Sequence, residues 1–299
     1  MLDLERLRAL HSVATYGSVS AAADVLHVTT SAVSQQLAKL ERETGQKLLE
    51  RNGRGVRLTD AAELLVTHAE HILSLVERAQ ADLEAHRGTV VGRLTLGAFP
   101  TAVRGLIPGA LGRLHREHPD LSVQLQELDP YQSMPLVVRG DLDMAIVQDW
   151  DNEPLPNPEG LQRGAICDDV ADVALPPGHP LAGRAEIGLK ELAGDPWISS
   201  SPGSVCCAWL INTLRGFEAE PRIAHMAYEI PTQLALVAAG LGSAILPRLG
   251  RCDVPPGVTI LPLRPAMTRR VYAVWREETA RRPAVRAALA ALRTGLPPL

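Results

Sequence analysis

Thr29, Thr30, Ser31, Ser34, Gln35 and Lys39 fall on one face of a helical repeat whose opposite face is Val33, Leu37 and Leu40, spaced four and three residues apart. Hydroxyl and amide side chains in such a row can donate and accept hydrogen bonds at base edges, and a lysine on the same face suits a phosphate. Taken alone, a polar helix face is simply a solvated one. The neighbouring residues change that reading. Leu4, Leu7, Leu10 and Ala14 predict a first helix ending at Gly17, and Ser18 can cap a second that buries Ala21, Ala22, Val25 and Leu26. His27-Val28 makes the turn, and Thr29 caps a third helix that stops at Gly45. Two short helices joined this tightly make a helix-turn-helix, whose second helix enters a major groove. Thr30, Ser31, Ser34 and Gln35 are then expected at base edges, with Thr29 and Lys39 nearer phosphate.

The charge pattern agrees with this. The 299-residue chain has a formal net charge of −4, yet Lys39–Leu58 holds six basic residues against three acidic ones. Downstream, Asp141, Asp143, Asp149, Asp151 and Glu153 form an acidic stretch. Basic charge is confined to one small module, as a nucleic-acid contact within an acidic protein requires. Lys47–Arg51 and Val56–Leu58 flank Asn52-Gly53-Arg54-Gly55, a hairpin signal. Arg54 at its tip suits a minor groove, and Arg51 and Arg57 suit backbone phosphates.

Hydrophobic content of 46% and charged content of 21% mark a globular chain. Its length fits two or three domains. The first ten residues mix charges among leucines, unlike a secretory signal, and no apolar run is long enough to span a bilayer, so a cytoplasmic location with no membrane partner is expected. From Thr59 a long helix is predicted to about His86. Its apolar positions Leu65, Ala69, Ile72, Val76, Ala79 and Leu83 advance by alternating fours and threes, a heptad seam expected to pair with a second copy rather than to pack on its own domain. Residues 88–92 read as a hinge. Beyond them strands alternate with helices, with Thr101–His118 as one helix, Leu142–Val147 as a strand, a helix opened by Ser204 and a late strand at Arg270–Trp275. This is the pattern of a mostly parallel sheet in two α/β lobes, with a ligand cleft between them. Ahead of the first such helix, the Thr101 hydroxyl and a free backbone N–H after Pro100 could hold a carboxylate.

The run GSVSAAADVLHVTTSAVSQQLAKLERETGQKLLERNGRGVRLTDAAELL closely resembles the helix-turn-helix signature of LysR-type transcriptional regulators. GDLDMAIV at Gly140–Val147 and VAAGLGSAILP at Val237–Pro247 resemble landmarks of that family's effector domain. Two positions depart from the pattern. Thr30 and Ser31 stand where many members have Gln and Pro, so operator preference does not carry over, and Leu49 replaces the usual Phe of the wing. The resemblance implies an α+β multidomain chain: a winged helix-turn-helix (1–58), a linker and dimerisation helix (59–87), the hinge, and a two-lobed periplasmic-binding-protein-like effector domain (93–299). Lobe I would span about 93–162 and 266–299, and lobe II about 163–265. It further implies a homodimer, a homotetramer through the effector domains, and as partners double-stranded operator DNA, RNA polymerase and a small-molecule effector, with no cofactor.

For the effector cleft the resemblance points to Pro100 and Thr101 from one lobe and Ser199, Ser201 and Ser204 from the other. Tyr131, Gln148 and Tyr228 join them at expected strand ends. Serines and threonines there equally serve as helix caps. An aromatic content of only 3% disfavours a large aromatic effector. Cys206-Cys207 invites a redox sensor, since one branch of the family senses peroxide through two separated cysteines. An adjacent pair can close only a strained ring, and buried thiols or a thiol lining the cleft are the alternatives. His68/His71 and His115/His118 lack the glutamate frame and third ligand of a metal site. No nucleophile elbow, phosphate loop or complete dinucleotide fingerprint is present, so an enzyme is not expected. A solute-binding protein, which shares the two-lobed form, is disfavoured by the N-terminal helix-turn-helix.

Overall fold

The computed structural model describes residues 2–52 and 55–294. The chain divides into two compact units, Met1–Leu83 and Glu84–Leu299. In the first, α1 (Leu4–Tyr16), α2 (Val19–Val25) and α3 (Thr30–Thr44) are followed by a hairpin of β1 (Leu49–Asn52) and β2 (Gly55–Leu58) and by α4 (Asp60–Arg87), which runs into the second unit. The caps are those the sequence offers. Ser18 Oγ accepts from Ala21 N at 3.1 Å and Thr29 Oγ1 from Ala32 N at 3.1 Å, while Gly17 and Gly45 end α1 and α3 in the left-handed conformation. Leu7, Leu10, Val33, Leu37, Leu40 and Leu48 form the buried core. The Glu41 carboxylate ties α3 to the hairpin, accepting from Leu48 N at 2.9 Å and from Lys47 Nζ at 3.2 Å. Burial pushes its pKa up, but these donors outweigh it and hold Glu41 below the usual carboxylate value.

The heptad seam needs correction. Ala69 is fully buried in this core, and Leu65 and Ile72 pack against it, so the first half of the seam is satisfied within its own unit. Burial against α1–α3 competes with self-pairing, and periodicity cannot tell the two apart. The apolar side chains α4 leaves bare are Leu64, Leu75 and Leu83, each more than 60% exposed. Ala79 is also exposed and Val76 half-buried.

His11 on α1 lies 3.7 Å from Glu70 on α4. Burial lowers its pKa below the ordinary 6.5, against the opposing pull of Glu70 and Glu77. The unfolded chain therefore binds the proton more readily, and His11 favours folding at neutral pH but progressively less as pH falls below about 6.5. Replacing His11 by Gln is expected to flatten the dependence of the urea midpoint of this unit between about pH 7.5 and 5.5. An unchanged slope would exclude His11 as its source.

The second unit contains β3 (Gly92–Ala98), α5 (Pro100–Gly105), α6 (Ile107–Glu117), β4 (Leu121–Glu127), α7 (Pro130–Arg139), β5 (Met144–Trp150) and β6 (Leu161–Leu175). These are followed by β7 (Pro196–Ser199), α8 (Val205–Arg215), β8 (Arg222–Met226), α9 (Ile230–Ala238), β9 (Ser243–Pro247), β10 (Thr259–Arg276) and α10 (Pro283–Arg293). Among the described residues its eight strands lie in the order β4-β3-β5-β10-β6-β9-β7-β8. Each lobe is a parallel trio, β4-β3-β5 or β9-β7-β8, and the long strands β10 and β6 run antiparallel between them.

Several expectations differ from the structure. Parallel pairing holds only in the flanks, because β10 is an 18-residue strand and not the short return at Arg270–Trp275. Both passages between lobes lie inside β6 and β10, where Ala171–Ala174 already pairs with β9 and Arg269–Trp275 with β5. The helix expected at Thr101–His118 is two helices broken at Leu106. Pro108 has no N–H to give and would clash with the carbonyl four residues back, so it opens α6 instead of continuing α5. The strand expected at Leu142–Val147 begins two residues later, since the Asp143 side chain is engaged by Thr95 N at 2.7 Å.

Candidate functional site

In the first unit Thr29, Thr30, Ser31, Ser34, Gln35 and Lys39 are all exposed on α3. Val33, Leu37 and Leu40 are at most 3% exposed on the other side. Thr29 Oγ1 spends a lone pair on the cap and keeps its proton. The Ser34 hydroxyl donates to the Thr30 carbonyl at 2.9 Å, so it turns only lone pairs outward. It can therefore accept from an amino group of cytosine or adenine. In the hairpin, Arg57 is exposed and paired with Glu50 at 3.1 Å, which a phosphate would have to displace. Arg54 and the side chain of Arg51 lie outside the described residues.

In the second unit a cavity of about 690 Å³, counting its open mouth, sits at the carboxyl ends of the parallel strands. Lobe I supplies Phe99, Pro100 and Thr101 after β3, Asp129 before α7, and Gln148 and Trp150 from one face of β5. Lobe II supplies Ser199 at the end of β7 with Ser200 and Ser204 after it, Cys206 and Trp209 from α8, Tyr228 before α9 and Gln233 within it. Trp150 and Trp209 stack with centroids 4.0 Å apart and planes 17° apart. Arg269 of β10 forms the base. It is 1% exposed, pairs with Asp169 at 2.7 Å, and donates through Nη2 to Thr101 Oγ1 at 2.6 Å, with the guanidinium over the Phe99 ring at 5.0 Å. Asp169 also accepts from Leu249 N at 2.8 Å, so one ion pair joins α5, the crossing strands and the segment after β9.

Behind this base two glycine backbones meet. A Cβ on Gly105 would lie 2.4 Å from Gly250 N, and one on Gly250, at φ +67°, would lie 2.3 Å from the Thr101 carbonyl. Burial pushes the Cys206 thiol pKa up, only partly offset by Arg269, so it is held as a thiol. Burial and the carboxylates of Asp129 and Glu127 push the Tyr228 hydroxyl up to about 12, keeping it protonated.

Residues 4–63 match the model of the bacterial regulatory helix-turn-helix proteins of the lysR family, and residues 87–297 match that of the LysR substrate binding domain. The chain is a LysR-type transcriptional regulator. It is 30% identical over 250 residues to the uncharacterized HTH-type transcriptional regulator YnfL of Escherichia coli K12, covering 82% of each chain. Identity is 33% over 251 residues to a probable RuBisCO transcriptional regulator of Chlorokybus atmophyticus, covering 84% of this chain and 78% of that one. Among solved structures, full-length OxyR of Pseudomonas aeruginosa superposes with a TM-score of 0.71 at 25% identity over 98% of both chains. The family regulates transcription and is not a family of enzymes. No helix among the described residues is long and apolar enough to cross a membrane.

Of the effector residues expected for this LysR-type regulator, Pro100, Thr101, Gln148, Ser199, Ser204 and Tyr228 line one cavity. Tyr131 does not line it: its hydroxyl donates to Glu153 at 2.6 Å, and Glu153 in turn accepts from Asn212 of α8 at 2.7 Å. Ser201 is exposed, and its carbonyl accepts from Ser204. Ser204 itself is a saturated cap, donating to Ser201 O and accepting from Cys207 N and Ser200. The expected carboxylate cradle is also altered, since the Thr101 oxygen is committed to Arg269 and α5 has only six residues.

Sequence reasoning missed Arg269, Asp129 and Trp209. The low aromatic content misled, because Phe99, Trp150, Trp209 and Tyr228 all converge on the cavity. Position parity offered one signal, since Gln148 and Trp150 must share a strand face.

Proposed function

We propose that this regulator binds operator DNA as a homodimer, with α3 in the major groove, and is controlled by a small molecule held between its lobes. The observation that carries the DNA half is the division of α3 into a buried apolar face and an exposed row of Thr30, Ser31, Ser34 and Gln35. Thr30, Ser31, Ser34 and Gln35 contact base edges, and Thr29, Lys39, Arg51 and Arg57 contact phosphate, with Arg54 in the minor groove. The exposed Leu64, Leu75 and Leu83 of α4, together with Val76 and Ala79, supply apolar surface for a second copy. Effector domains pair the dimers into a tetramer that acts in the cytoplasm, makes contact with RNA polymerase and uses no cofactor. Effector occupancy shifts the lobes and so the bend imposed on the operator.

The test is a salt titration on the DNA upstream of its own gene against an unrelated fragment of equal length. The wild type should prefer the upstream fragment. The double variant Ser34→Ala, Gln35→Ala should lose about 10- to 100-fold of that preference and keep its non-specific, salt-steep affinity. Unchanged selectivity would remove these residues from base reading.

A further inference from the structure

Hydrogen-bond bookkeeping in the cavity specifies what it can hold. The single Ser204 proton goes to the Ser201 carbonyl at 2.8 Å, so Ser200, 2.8 Å from Ser204 Oγ, must donate to it and turn lone pairs elsewhere. Gln148, 2% exposed, spends its Nε2 on Cys206 Sγ at 3.3 Å, and its buried Oε1 meets no donor among the described residues. The Asp129 carboxylate, which already accepts from Tyr131 N at 3.1 Å as the cap of α7, adds its remaining lone pairs and a negative charge. Arg269 is the only basic side chain among the described residues lining the cavity, and Asp169 neutralises it. On the donor side, Thr101 accepts from Arg269 and keeps its own proton, Tyr228 stays protonated, and the buried Nε1–H of Trp150 meets no acceptor among the described residues. The walls are flat and aromatic: Phe99, Tyr228 and the stacked indoles of Trp150 and Trp209.

We propose that the effector is an uncharged planar aromatic compound bearing N–H donors, of the arylamide or arylamine class, and not an aryl carboxylate. The proposal rests on the reading of this cavity as the effector site. A carboxylate has no proton to give Gln148 Oε1 or Ser200 and sets its charge beside Asp129. An amide supplies N–H groups to Gln148 Oε1, Ser200 and Asp129 and leaves its carbonyl for the Thr101 or Tyr228 hydroxyl. A buried acceptor left unpaired penalises any ligand that cannot donate to it, which is the source of discrimination.

Three matched probes separate the terms: benzamide, benzoate, which has the same shape but is anionic and lacks the donor, and cyclohexanecarboxamide, which keeps the donor without the ring. Calorimetric titration of the full-length chain should show benzamide binding about tenfold or more tighter than either. Asp129→Asn should narrow the gap to benzoate, and both Ser200→Phe, which fills the cavity, and the milder Gln148→Leu should weaken benzamide. Thermal melts of each variant report whether it is folded. Benzoate binding as tightly as benzamide, yet still blocked by Ser200→Phe, would overturn the chemical class and leave the effector site standing. Benzamide binding indifferent to both Ser200→Phe and Gln148→Leu would overturn the site itself. No heat from any probe at millimolar concentration would overturn the class.

Discussion

Replacing Arg269 by Met is expected to cost the Glu84–Leu299 unit about 3–5 kcal/mol of stability, the usual effect of stripping one partner from a buried ion pair. Asp169 is wholly buried, and without the guanidinium it would keep one hydrogen bond from Leu249 N. Thr101 would lose its donor at the same time. Urea denaturation should show the midpoint of this unit falling. The double variant Arg269→Met, Asp169→Asn should recover part of the loss, because an amide is far cheaper to bury than an unpaired carboxylate. A single variant costing less than about 1 kcal/mol would mean that the pair is not desolvated as its burial indicates.

Gly250→Ala should cost nearly as much, about 3 kcal/mol, through a different mechanism. A methyl group 2.3 Å from the Thr101 carbonyl forces α5 and the segment after β9 apart, and overpacking of this kind costs roughly 1–3 kcal/mol. The left-handed backbone at φ +67° adds about 1–2 kcal/mol for any residue with a Cβ. Gly160→Ala isolates the second contribution, since Gly160 has φ +77° and open space around it. The difference between the two alanine variants in thermal or urea unfolding measures the clash alone. Equal losses would show that the two backbones are free to separate.

Much of the fold was legible because its signals are local. Ser18, Thr29 and Ser204 each accept from a backbone N–H in the first turn of the helix that follows, and Gly17 and Gly45 end α1 and α3 where the sequence offers a left-handed residue. The long strand β10 was not legible, since Pro262, Pro265 and the charged Arg264, Arg269 and Arg270 break any strand pattern, and only pairing with β6 on one side and β5 on the other sustains it. The half-burial of the α4 seam escaped because a heptad records that a stripe is covered and not by what. The base of the cavity escaped for a related reason. Arg269, Asp169 and Thr101 lie far apart in sequence, and a buried arginine in an otherwise ordinary strand carries no mark until topology places its partners. The exposed face of α3 needed no such knowledge, as its partner is outside the protein.

The stacked indoles give the protein an optical label of its own. Trp150 belongs to β5 of lobe I and Trp209 to α8 of lobe II, so their 4.0 Å contact is a ruler laid across the cleft. The other two tryptophans, Trp197 and Trp275, sit in the interiors of lobe II and lobe I. Any ligand that parts or slides the two rings changes their mutual quenching and their coupled near-ultraviolet dichroism. Lobe movement can thus be followed in unlabelled protein, in real time, with operator DNA present in the same cuvette.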